Sequence, residues 1–191
     1  MSEIAEKVTD YFTSTSFKRE ELMDKLSEFL TVEKGGVKLY EAALKCVRDR
    51  EVKEKFQEFH EQTMRHVEIL TDIIEKLGGK PSYKSSGAKL AEAKAKALLA
   101  TMTKSNGNSM SAAETELNAI ENIVIAETKD HADWELLGHI AHRSEDSQLS
   151  QLLKPAVSEV EDQEDEHLHW TQKKMGELAL MALEKNGKRA H

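Results

Sequence analysis

Two prolines in 191 residues leave this chain free to build long helices. Proline removes a backbone donor and breaks helix interiors, so stretches without it can run on. Along those stretches apolar residues recur every three or four positions. Leu22, Leu26, Phe29, Leu30, Val37, Tyr40 and Leu44 predict a first long helix over about 18–47. Asp49 opens a second, marked by Phe56, Phe59, His66, Leu70, Ile73 and Leu77. Gly78-Gly79 stops it, with Pro81 just beyond. A polar linker, 80–87, leads into a weaker helix at about 88–103, which Asn106-Gly-Asn-Ser109 breaks. A third long helix is expected over about 111–142, and a fourth over about 146–185 with Pro155 early in it. Four long helices with a long link between the second and third predict an all-α fold. The expected form is a four-helix bundle of two helix pairs joined by a crossover, with short extra helices. The expected organisation is an N-terminal extension (1–16), the bundle (17–185, crossover 78–110) and a disordered tail (186–191).

Composition narrows the function classes. A net charge of −8 disfavours nucleic acid and anionic membrane as partners. Cys46 is the single cysteine, which excludes a disulfide framework and a Cys-x-x-Cys metal centre. The first residues carry acids and lack an apolar core, so no secretory signal is read there. No apolar run approaches the roughly 20 residues of a membrane span. A cytoplasmic protein is the expectation.

The chain also repeats itself. An offset of 94 residues carries Glu33 onto Glu127, Tyr40 onto Trp134 and Glu41 onto Glu135. An offset of 101 carries His66 onto His167. Seven residues are nearly two helical turns, so each glutamate shares a face with its aromatic. Glu164 and His167 stand three apart, one turn along the same face, and can ligate one cation together. Iron, manganese and zinc all accept such mixed oxygen and imidazole ligands. Glu33 and Glu127 sit among apolar neighbours, where an unpaired carboxylate would be costly. A metal would offset that cost, as would protonation or a Lys or Arg partner.

On these residues the chain resembles the ferritin and rubrerythrin superfamily, over about 20–78 and 111–180. The resemblance implies a ferritin-like bundle with a di-metal carboxylate–histidine site. Glu33 and Glu127 match the terminal carboxylates, His66 the histidine of the second helix, and Glu164 and His167 the Glu-x-x-His of the fourth. By that resemblance one metal would take Glu33, His66 and a bridging Glu164, and the other Glu127, Glu164 and His167. The family's second helix carries a glutamate three residues before the histidine, and here Thr63 stands in that place. This departure predicts unequal metal affinities or a single occupied site. His131, one turn after Glu127 and opposite Val37 in the repeat, is a further candidate ligand or outer partner of the second metal. Its alternative is a half-buried histidine bonded to a carboxylate.

Other features have blander readings. Glu166 and His169 repeat the Glu-x-x-His spacing but are expected at the solvent side. Tyr40 and Trp134 read as core packing rather than redox groups. Met64 reads as core filler, and His60, His139 and His142 as surface or edge residues. Gly35-Gly36 costs about 2 kcal/mol in helix propensity and implies either room beside the metals or a closely packed helix.

The resemblance implies an oxidoreductase of the di-iron oxidase or peroxidase type, rubrerythrin-like. It would hold two iron ions, or one, with manganese or zinc as alternatives. Dioxygen or peroxide would be the substrate. With one cysteine the electrons would come from an external donor, and a homodimer is expected. The alternatives are iron storage, or a non-catalytic stress or scaffold protein with a partly degraded site.

Overall fold

A computed structural model describes residues 15–107 and 110–184. Five α-helices account for nearly all of them: α1 (Arg19–Ala43), α2 (Arg50–Lys76), α3 (Ser86–Gly107), α4 (Ala112–Arg143) and α5 (Ser147–Leu183). Among the described residues there is no strand, only an isolated bridge between Thr15 and Ser144. No helix of the described residues is long and apolar enough to cross a membrane. The expected N-terminal extension (1–16) falls on residues 1–14 for all but its last two positions, and the expected tail on 186–191, and both of those ranges lie outside the described residues.

The helix ends follow local chemistry. The Asp49 carboxylate accepts the Val52 N–H and starts α2. Ser111 and Glu114 close a reciprocal capping box on α4. Asp146 accepts the N–H groups of Gln148 and Leu149 on α5. Gly78 ends α2 in the left-handed region, at φ 74°. α5 continues through Pro155. The connection from α2 to α3 is tied down on α1: Ser27 Oγ donates to the Tyr83 carbonyl (2.7 Å) and the Tyr83 hydroxyl to Asp24 (2.7 Å).

α1 packs against α2 and α4, and α5 against α2 and α4. α3 lies on the outside, against α1 and α4. The contact with α1 is close at Gly35, where an added Cβ would lie 3.0 Å from the Cβ of Ala95. So Gly35 serves helix packing, while Gly36 turns inward toward Thr63 and Asp130.

The interior has two apolar clusters. One gathers Leu26, Phe29, Leu70, Ile74, Leu137 and Leu153 from α1, α2, α4 and α5. The other gathers Leu39, Tyr40, Phe56, Phe59, Ile120 and Ile123. Along each of the four helices the run of core residues is interrupted by ionisable ones: Glu33, His66, Glu127 with Asp130, and Glu164 with His167, all buried. Such groups are rarely buried without compensation. Met64 is 42% exposed, so it lies on the surface and neither fills the core nor lines the interior.

Candidate metal centre

Each interior ligand candidate comes from a different helix turn that the amphipathic pattern forces inward. Glu33 continues the α1 face that carries Phe29, Leu30 and Tyr40. His66 lies on the α2 face of Phe59, Ile69 and Ile73. Glu127 follows Ile120 and Ile123 on α4, and Glu164 and His167 follow Val157 and Val160 on α5. Spacings of three and four keep these residues on the stripe that faces the core.

The structure brings five of the six expected residues together. Glu33, His66 and Glu164 form one group and Glu127, Glu164 and His167 a second, each with its potential ligand atoms within 4.8 Å of one another. Glu164 belongs to both. His66 Nδ1 lies 3.1 Å from Glu164 Oε1 and 3.4 Å from Glu33 Oε1. His167 Nδ1 lies 3.4 Å from Glu127 Oε2 and 3.6 Å from Glu164 Oε1. The two imidazoles are stacked, with centroids 5.9 Å apart. The sixth residue, His131, is placed elsewhere. It is half-buried, with its Nε2 2.7 Å from Asp165, and belongs to neither group. Its position one turn beyond Glu127 carries it round to the α5 edge, where a carboxylate already meets it.

The outer partners cross between the halves. Trp134 Nε1 donates to Glu33 Oε1 at 2.6 Å, and the Tyr40 hydroxyl donates to Glu127 Oε1 at 2.7 Å. Each aromatic therefore holds the glutamate of the other repeat, which is more than core packing. Two glutamines do the same for the histidines. Gln163 Oε1 lies 2.9 Å from His66 Nε2, and Gln62 Oε1 lies 2.7 Å from His167 Nε2. A histidine donating from Nε2 presents Nδ1 to a metal.

The remaining atoms point inward without hydrogen bonds. Among the described residues Glu33 Oε2, Glu127 Oε2, both oxygens of Glu164 and Nδ1 of both histidines lack a partner of hydrogen-bond geometry. So does Oδ1 of Asp130, a buried carboxylate that sequence reasoning missed. Its signal was the spacing Glu127-x-x-Asp130, which puts both acids on one face of α4.

Electrostatics show the strain of this assembly. Burial opposes charge on His66, but the carboxylates of Glu164 and Glu33 outweigh it and raise its pKa to about 10. His167 is raised for the same reason by Glu127 and Glu164, against its burial. Burial also lifts Glu164 to about 7, with His66 pulling down and Glu127 and Glu33 pushing up. Asp130 is pushed well above the usual carboxylate range by burial and by the charges of Glu33, Glu164 and Glu127. Two imidazolium ions leave two of the four carboxylates of Glu33, Glu127, Asp130 and Glu164 unbalanced, to be met by protonation, as the raised pKa values of Asp130 and Glu164 indicate, or by a cation. A buried acidic excess with inward, unpartnered oxygen and nitrogen donors fits a divalent cation, by charge and by donor chemistry.

No curated protein and no solved structure matches the chain. A family model described as "Domain of unknown function (DUF2383)" matches residues 21–126, so it holds Glu33 and His66 and stops one residue before Glu127. That match spans more than half of the sequence, and the chain belongs to this family.

Proposed function

We propose that the protein is a ferritin-like four-helix bundle of α1, α2, α4 and α5 that binds two metal ions, iron in the first instance. The observation that carries this reading is Glu164, shared by two buried Glu/His groups. Glu33 and His66 would hold one ion, Glu127 and His167 the other, and Glu164 would serve both. The sequence resemblance to ferritin- and rubrerythrin-like proteins and the ring of packed helices support the same assignment.

Iron bound there would supply redox chemistry toward dioxygen or peroxide. The chain's own contributions are distinct from that chemistry. Glu33 and Glu127 are fixed by Trp134 and Tyr40, and the histidines by the two glutamines. The apolar clusters on either side keep bulk water from the donors. Electrons would come from a separate donor.

Anaerobic iron(II) titration followed by exposure to oxygen tests the reading. Tight binding of about two ions per chain and an oxygen-dependent absorption change are expected. Iron binding absent from the wild type, or unaltered in both Glu164→Ala and His167→Ala, would reject it.

A further inference from the structure

The repeat fails at two interior positions. Glu164 corresponds to Thr63 on α2, and Asp130 corresponds to Gly36 on α1, under the same offsets that relate the other residues. In space these exceptions lie together. A Cβ built on Gly36 would lie 3.3 Å from Thr63 Cγ2 and 3.9 Å from Asp130 Oδ2. The Thr63 methyl thus packs into the space that Gly36 leaves, and Asp130 Oδ2 reaches the same neighbourhood from α4.

Thr63 itself offers no donor to the interior. Its hydroxyl donates to the Phe59 carbonyl within its own helix at 2.8 Å, and its methyl faces Gly36. Asp130 is only 4% exposed, and its Oδ1 has no hydrogen-bond partner among the described residues. Burial and the like charges of Glu33, Glu164, Glu127 and Asp133 all disfavour its ionised form. Asp133 is itself paired with Lys129, so that cation is committed elsewhere. Asp130 stands outside the two close groups of donors, and a buried carboxylate with an unpartnered oxygen is costly unless it is protonated or met by a cation.

We infer that Asp130 is a ligand of the same metal centre and supplies from α4 the carboxylate that Thr63 does not supply from α2. The inference rests on the metal reading above and supplies the carboxylate that its two-ion stoichiometry lacks on α2. With Asp130 counted, the centre has four carboxylates and two imidazoles, enough to hold two ions. The vacant position on α2 then no longer implies a half-empty site. The carboxylate that α2 lacks at Thr63 is then carried by α4.

The test uses cobalt(II) as the probe, because its visible spectrum reports the number and kind of donors. Three chains are titrated anaerobically: the wild type, Asp130→Asn, and Thr63→Glu with Asp130→Asn. The wild type is expected to bind about two equivalents. Asp130→Asn should lose one, or bind it about 10-fold or more weakly. Returning a carboxylate to α2 in the double variant should restore the second. Asp130→Asn is near in shape and removes a buried charge, so its metal-free melting temperature should equal or exceed that of the wild type. If that variant does not fold, Asp130→Glu keeps the charge, and a cobalt spectrum unchanged from wild type would overturn the inference. Two equivalents bound by Asp130→Asn with unaltered affinity would also overturn it, leaving the metal centre standing. A wild type that binds no cobalt and no iron removes both.

Discussion

Gln62 of α2 holds the histidine of α5: its Oε1 lies 2.7 Å from Nε2 of His167. Gln163 of α5 returns the contact to His66 of α2 at 2.9 Å, and the offset of 101 residues maps one glutamine onto the other. An amide oxygen that accepts from Nε2 fixes the ring and leaves Nδ1 for a metal. A neutral partner does so without the extra basicity that a carboxylate would lend. Gln62→Leu and Gln163→Leu should each weaken metal binding about 10-fold, with helix content unchanged. Gln62→Glu should bind metal at least as tightly as wild type. Metal affinities indifferent to all three substitutions would show that the glutamines only fill space.

The shared position of Glu164 sets a ranking. Glu164→Ala should remove binding at both ions, whereas Glu33→Ala should spare the ion near His167. Metal content after dialysis against a weak chelator measures this. Equal losses in the two variants would argue against a shared carboxylate.

Stability should depend on pH in opposite directions with and without metal. The folded pKa of His66, about 10, lies above its ordinary 6.5. That contribution to stability is complete below pH 6.5 and is lost as pH rises toward 10. Glu164, raised from 4.5 to about 7, likewise favours its protonated form and loses its contribution as pH rises through 7. The metal-free protein should therefore melt lower at pH 9.5 than at pH 6, by on the order of 10 °C. A metal competes with those same protons, so its apparent affinity should increase from pH 6 to pH 9 with measurable proton release. Thermal melts with and without manganese(II) across that range decide the matter, and a metal affinity that falls with pH would contradict it.

The two aromatic donors should matter even without metal. Tyr40→Phe removes the donor to Glu127 and leaves a buried carboxylate oxygen unpaired. The expected loss is about 1–3 kcal/mol in urea unfolding of the metal-free chain. Trp134→Phe should cost at least as much, since it removes the donor to Glu33 and also volume from the apolar cluster. Neutral substitutions at both positions would reduce these aromatics to packing.

Much of this was legible in the sequence where local chemistry decides it. Asp49, Ser111 and Asp146 announce helix starts because each is an N-cap, and Gly78 announces an end because the chain turns left-handed there. Glu33, His66, Glu127 and His167 were visible because the repeat marks them, and Glu164 because it stands one turn before His167. Asp130 was not, because a search for repeats looks for matches, and Asp130 stands opposite Gly36. The glutamines do match, but as neutral side chains they drew no attention until their distances to the histidines appeared. His131 goes the other way: its spacing from Glu127 suggested a ligand, but its alternative reading holds, a half-buried histidine bonded to a carboxylate, here Asp165. Met64 was read inward beside Thr63, whereas adjacent helix positions face about 100° apart.

The crossed contacts have a consequence for how such a site can come into being. Tyr40 steadies a glutamate of the second half and Trp134 one of the first, and the glutamines exchange histidines in the same way. Neither helix pair carries both a ligand and the group that orients it. A fragment cut between α3 and α4 would therefore own Glu33 and His66 alone, or the remaining donors alone, and none of their proper braces. The proposed metal centre is then something the two halves acquire only on docking.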